Sequence, residues 1–138
     1  TLNLIPMVLD RLSKGETPKI FGTDYPTPDG TCVRDYIHVA DLARSHVAAA
    51  EAMMAGRRLE PAYNLGSGTG SSVREIMEAI ARVTGIDFTP EIAPRRPGDP
   101  ARIVARGELA ARDIDWTMRN SLDDMVASAW SARKAHRG

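Results

Sequence analysis

The stretch from Lys19 to Leu42 reads Lys-Ile-Phe-Gly-Thr-Asp-Tyr-Pro-Thr-Pro-Asp-Gly-Thr-Cys-Val-Arg-Asp-Tyr-Ile-His-Val-Ala-Asp-Leu, and the rest of the chain is organised around it. It opens with a short apolar run, Ile20-Phe21, stopped by Gly22. Pro26, Pro28 and the pair Asp29-Gly30 follow, residues that fix backbone angles in turns instead of building a ladder. Val33 to Val39 is then β-branched and aromatic and reads as a strand. Arg34 lies inside it, with Asp35 beside it. A guanidinium on a rigid element next to a long loop suits a bound phosphate. The same two residues also fit a surface Arg–Asp pair worth almost nothing, and their chemistry alone does not separate the readings.

Upstream, Leu4, Ile5, Val8, Leu9 and Leu12 recur at helical spacing over Thr1 to Leu12, with Pro6 near the start and Gly15 as the stop. Asn3 is placed as the N-cap. Pro18 to Phe21 reads as a short strand. Downstream, Val39, Leu42, Ala43, Val47, Ala50 and Met54 form an apolar stripe on a helix that Gly56 ends. Asp41 lies in its first turn, favourably placed for the helix dipole. Its many alanines make this helix slim, able to lie close to another layer.

Ala62 to Leu65 reads as a strand, and Gly66-Ser67-Gly68-Thr69-Gly70 as the turn into the next helix. That run imitates a dinucleotide fingerprint, with Asp87 about 20 residues on. The spacing fails, because Ser71 and Val73 stand where the last glycine would be needed. A capping box of Ser72 with Glu75 is the better reading. The stripe Val73, Ile76, Met77, Ile80 and Thr84 follows, and Gly85 stops it. Phe88 to Ala93 is a further strand. Pro94 to Pro100 holds three prolines and the adjacent Arg95 and Arg96, presented from a stiffened loop. A diphosphate or plain solvent would satisfy those arginines. Two short helices, Glu108 to Arg112 and Ser121 to Lys134, end the chain, with Trp116 between them.

The fold expected is α/β (mixed α+β): a small mixed sheet with several amphipathic helices, one domain over residues 1–138 with no internal boundary. Hydrophobic content of 43% and charged content of 26% are ordinary for a globular domain. With 18 basic and 18 acidic residues, nothing points to nucleic acid or to a membrane. The single cysteine, Cys32, cannot form an internal disulfide, which suggests a cytoplasmic setting. His38 and His46 lack the spacing of a helical zinc pair, so no metal site is expected. The chain begins at Thr1, as a fragment or a processed chain would.

Phe21 to Thr31, continued through Val33-Arg34-Asp35-Tyr36-Ile37-His38-Val39, resembles the middle of the UDP-glucose 4-epimerase family, of the extended short-chain dehydrogenase/reductase group. The likeness runs on through Tyr63-Asn64-Leu65-Gly66-Ser67-Gly68 and Ala93-Pro94-Arg95-Arg96-Pro97-Gly98-Asp99. It covers nearly all of this sequence but only the second part of such an enzyme. The resemblance implies substrate-binding roles for Asn3, Leu4, Lys19, Phe21, Arg34, Arg96, Asp99 and Ile103. Asn3, in the Asn-Leu-x-Pro pattern, touches the nucleotide diphosphate. Lys19 and Phe21 offer main-chain groups to the uracil ring. Arg34 and Arg96 bind the phosphates, and Asp99 accepts from a ribose hydroxyl. Ile103 stands where a tyrosine or a small residue often limits room at the sugar. Arg106 stands where an aspartate commonly opens the next helix.

The same resemblance implies a hydride taken by NAD from C4 of the sugar, with a tyrosine of a Tyr-x-x-x-Lys pair as base. Four residues after Tyr25, Tyr36 and Tyr63 stand Asp29, Ala40 and Ser67, so the pair is not in this chain. No catalytic and no cofactor-binding residue is assigned, and none of the cofactor is expected on this chain. The reading is a UDP-glucose/UDP-galactose-gripping C-terminal segment, inactive alone, whose partner is a missing N-terminal NAD-binding half. Alternatives are a sister nucleotide-sugar epimerase or decarboxylase, or a stand-alone UDP-sugar-binding module. An apolar face left by the missing layer is expected to drive self-association.

Overall fold

The computed structural model describes residues 3–136. Helix α1 spans Leu4–Ser13, with Pro6 in its first turn and Gly15 at φ +73° just past its end. Thr1 and Leu2, which the sequence reading included in this helix, lie outside the described residues. Strand β1 (Lys19–Phe21) follows. A loop leads to β2 (Val33–Arg34), and α2 (Val39–Met54) comes next. Strand β3 (Ser71–Ser72) runs straight into α3 (Val73–Thr84). The chain ends with β4 (Glu91–Ala93), β5 (Arg102–Ile103), α4 (Glu108–Ile114) and α5 (Leu122–Ala135). The mixed character expected from the sequence is therefore present, as two small sheets. In one, β1 pairs in parallel with β4. In the other, β2 lies between antiparallel β3 and parallel β5.

Helix α3 begins where its sequence says it should. The Ser72 hydroxyl accepts from the Glu75 N–H, the Glu75 carboxylate accepts from the Ser72 N–H, and Gly85 ends the helix at φ +71°. Its apolar face meets α1, β1 and α5, and Val8, Leu9, Ile20, Ile76, Met77, Ala79, Ile80 and Val126 form the main core. Helix α5 opens on a second capping box, Ser121 with Asp124. Helix α4 opens on Gly107 with no side-chain cap, in keeping with the arginine at position 106. Ala52, Ala110, Ile114 and Trp116 form a smaller core between α2 and α4.

Three sequence readings are corrected. The strand read over Val33 to Val39 stops at Arg34. Beyond it, the Asp35 carboxylate accepts from the Ser67 N–H and hydroxyl and from the Ala105 N–H, so a side chain satisfies donors that a longer ladder would use. Residues 62–65 are not a strand either; Tyr63 and Leu65 pack against the smaller core by their side chains, and the Tyr63 hydroxyl donates to the Asp113 carboxylate at 2.8 Å. The strand read over Phe88 to Ala93 begins only at Glu91. The α2 stripe is present as read, and it points outward. Val39, Leu42, Val47, Met53 and Met54 are exposed, Met54 at 89%. Asp41, Ser45 and Ala52 are the residues that α2 buries.

Asp41 explains that orientation. Its carboxylate is fully buried, and it accepts from the Asn120 N–H at 2.9 Å, the Arg119 N–H and the Arg44 guanidinium. Its own carbonyl accepts from the Trp116 indole N–H at 2.8 Å. One residue thus fastens the α4–α5 connection onto the start of α2. Burial pushes the Asp41 carboxyl up, but the Arg44 and backbone hydrogen bonds outweigh it and hold the group down to about 2. A lowered native value means stability that is present above the unfolded value of 3.8 and lost as pH falls through about 2. Urea unfolding of this chain is expected to lose about 2 kcal/mol across that window. Asp41→Asn is expected to be less stable at neutral pH and to flatten this part of the profile; an unchanged acid limb would contradict the assignment.

Candidate nucleotide-binding site

Four segments meet at a cavity of about 310 Å³: the inner face of α1, the strands β1 and β2, and the proline-rich loop after β4. Leu4, Met7, Val8 and Arg11 line it from α1, one helical stripe at spacings of three and four. Pro18, Lys19 and Phe21 line it from the β1 side. Cys32, Arg34 and Tyr36 line it at every second position, as one face of an extended segment must. Val73 closes the floor, and Arg96 and Asp99 come in from the loop.

The loop before β2 is held by Asp29. Its carboxylate accepts from the Thr31 N–H and hydroxyl at 2.9 and 2.7 Å and from the Ser72 hydroxyl at 2.5 Å. Burial pushes this carboxyl up, yet the Ser72 and Thr31 hydrogen bonds prevail and keep it below the usual carboxylate range. The Thr31 hydroxyl also accepts from the Arg74 N–H at the start of α3. Gly30 is required in the same turn: at φ +81°, a Cβ there would lie 2.0 Å from the Thr23 carbonyl oxygen. The outcome is that Cys32 to Arg34 leaves the loop in a fixed register.

Arg34 makes no ion pair with Asp35, whose carboxylate is taken up by Ser67 and Ala105. Its guanidinium donates to the Val33 carbonyl at 2.9 Å, and no acidic partner is found among the described residues. The surface-pair reading is set aside by this geometry. Arg96 lies 4.9 Å over the Phe21 ring and donates to the Asp99 carboxylate at 3.0 Å. Arg95 turns away from the cavity, over the Tyr25 ring at 4.1 Å and onto Asp24. Burial pushes the Tyr36 phenol up, with Arg34 pulling it down. Four cationic side chains, Arg11, Lys19, Arg34 and Arg96, thus face one carboxylate, Asp99, around a slot whose other walls are largely apolar. Such a space suits a flat ring joined to a multiply charged anion.

Of the residues singled out in sequence, Leu4, Lys19, Phe21, Arg34, Arg96 and Asp99 line this cavity together. Asn3 stands at the N-cap of α1, exposed, with no side-chain cap hydrogen bond. Ile103 lies on β5, paired with Arg34, and is 54% exposed, outside the lining. Sequence reading missed Arg11, Cys32 and Tyr36. Helical spacing from Leu4 and alternation about Arg34 would have found them.

The glycine run does not fit a dinucleotide pyrophosphate. A Cβ on Gly66 would lie 2.3 Å from the Asp35 carboxylate, and that anion already takes the Ser67 N–H. Strand β3 also separates the run from the start of α3.

A fold of this kind, with such a cavity beside short strands, has clear relatives. Residues 2–66 match the NAD dependent epimerase/dehydratase family. The chain as a whole is homologous to the C-terminal part of the UDP-glucose 4-epimerases. It is 46% identical to UDP-glucose 4-epimerase of Corynebacterium glutamicum over 136 residues, 96% of this chain and 40% of that protein. It is also 46% identical to the enzyme of Halalkalibacterium halodurans, again over 40% of its length. A crystal structure of the Stenotrophomonas maltophila UDP-glucose 4-epimerase, with bound NAD and formylated UDP-arabinopyranose, superposes with a TM-score of 0.92 at 40% identity. The match covers 99% of this chain and 41% of that one. The chain therefore spans about 40% of the length of the relatives it matches.

Proposed function

We propose that this chain is the substrate-gripping segment of a UDP-glucose 4-epimerase, acting in galactose metabolism in the cytoplasm. The observation that carries the reading is the convergence of Arg34, Arg96 and Asp99 on one cavity with an apolar slot. The two guanidinium groups hold the diphosphate in bidentate fashion. To do so, Arg96 leaves Asp99, which is then free to accept from a ribose hydroxyl. The base lies in the slot between α1 and β1, against main-chain groups of Lys19 and Phe21. Asn3, with its amide unused by the helix cap, reaches the diphosphate from the start of α1, and Leu4 packs beside it. Ile103, next to Arg34 across the sheet, borders the sugar end.

Interconversion of UDP-glucose and UDP-galactose would require NAD, bound by an N-terminal half that carries the Tyr-x-x-x-Lys pair. That cofactor supplies the hydride transfer; the residues of this chain position the sugar nucleotide. The outward α2 face is where that half would dock.

The test joins this chain to the N-terminal part of the Corynebacterium glutamicum enzyme and assays both directions of the epimerisation. The hybrid is expected to be active, the chain alone inert, and Arg34→Ala in the hybrid to lower kcat/KM roughly a hundredfold. Activity confined to a UDP-pentose would favour a sister epimerase, a reading supported by 44% identity to a probable UDP-arabinose 4-epimerase of Arabidopsis thaliana. A hybrid inert with every UDP-sugar would remove the enzymatic reading.

Without its partner half the chain is expected to self-associate through α2. Sedimentation velocity should show dimers or larger species, shifted toward monomer by Leu42→Glu with Val47→Glu. A clean monomer at high concentration would refute this.

A further inference from the structure

Arg11 is the one cationic residue of the cavity to which no role toward the ligand has been given. It lies one turn beyond Met7 and Val8 on the stripe of α1 that faces the cavity. Its carbonyl accepts from the Glu16 N–H, and the chain then returns through Pro18 into β1. Arg11 therefore stands at the Pro18–Lys19 end of the cavity, whereas Arg96 stands over Phe21 at the other end of β1. Three residues of extended chain separate the two ends, on the order of 10 Å. That is about the distance from a nucleotide's α-phosphate to the far edge of its pyrimidine.

We propose that Arg11 reads the base: its guanidinium donates to the exocyclic oxygen at C4 of the pyrimidine, selecting a base with a carbonyl there over one with an amine. This rests on the diphosphate lying between Arg34 and Arg96, and extends it to the opposite end of the ligand. With the phosphates fixed there, the ring enters the slot between Leu4, Met7 and Phe21 with its C4 edge leading. A guanidinium has five donors and no acceptor, so a carbonyl oxygen satisfies it and an amino group faces it with like polarity. Little holds Arg11 elsewhere. Its ion pair with Glu16 is 3.9 Å long, and both side chains are about half exposed, at 43% and 55%.

The test is calorimetric titration of this chain and its Arg11→Met and Arg11→Lys variants with UDP and with CDP. Methionine keeps the stem against the cavity wall and removes the fork; lysine keeps the charge. The wild type is expected to prefer UDP. Arg11→Met is expected to lose about tenfold in UDP affinity with CDP little changed, so that the preference collapses. Arg11→Lys should retain only part of the preference. Equal weakening of UDP and CDP would mean that Arg11 acts as general positive charge, and would overturn the base-reading role while leaving the diphosphate grip standing. A wild type that binds neither nucleotide would overturn both together.

Discussion

The carboxylate of Asp29 is the constraint on which the rest of the site depends. It accepts from both donors of Thr31 and from Ser72, the residue that also caps α3. A turn with two prolines would otherwise leave β2 with only two residues of ladder to define its register. Through Asp29, the loop is tied to the best-packed helix of the main core, and the alternation Cys32, Arg34, Tyr36 is aimed at the cavity. Replacing hydrogen bonds of this kind leaves buried partners unsatisfied, which costs more than the bonds themselves are worth on balance.

The cavity draws its two kinds of wall from the two small sheets. The β1–β4 pair carries Lys19 and Phe21 and leads directly into the loop bearing Arg96 and Asp99. The β3–β2–β5 sheet supplies Arg34. Because each sheet is only two or three strands, neither could hold such a geometry alone. The α1, α3 and α5 core fixes them relative to each other. Arg96, resting on Phe21 and Asp99, keeps its charge partnered while remaining close to the surface, where an incoming anion can displace a half-exposed ion pair at little cost.

How much of this was legible in the sequence depended on where the determining contacts lie. Helix α3 could be read almost to the residue, because its start and stop are written locally in Ser72, Glu75 and Gly85. The strands could not, since a strand ends where its partner ends: Asp35 turned to Ser67 and Ala105, and residues 62–65, with Tyr63 and Leu65 packed on the smaller core, pair with no strand among the described residues. The α2 periodicity was plain, but not which face is buried. Asp41 and Trp116 are 75 residues apart, and only the folded chain reveals that the acid, not the apolar stripe, is inside. For the site, Arg34 in its strand and the Arg95-Arg96 loop were visible as chemistry. Which of the two adjacent arginines faces the cavity was implied only by family resemblance, and Arg11 required knowing that α1 lies over β1.

An exposed apolar stripe on a slim helix and a cavity lined by four cationic side chains and a single carboxylate are both unusual on one small chain. On the function proposed above, they are the features of a half-site, one surface for the partner half and the other for a nucleotide. The most direct measurement is a crystal structure of this chain with UDP. Diphosphate oxygens within hydrogen-bond distance of both Arg34 and Arg96, with Arg96 lifted from Asp99, would be the predicted result. A diphosphate touching only one of these arginines, or bound elsewhere on the molecule, would contradict it.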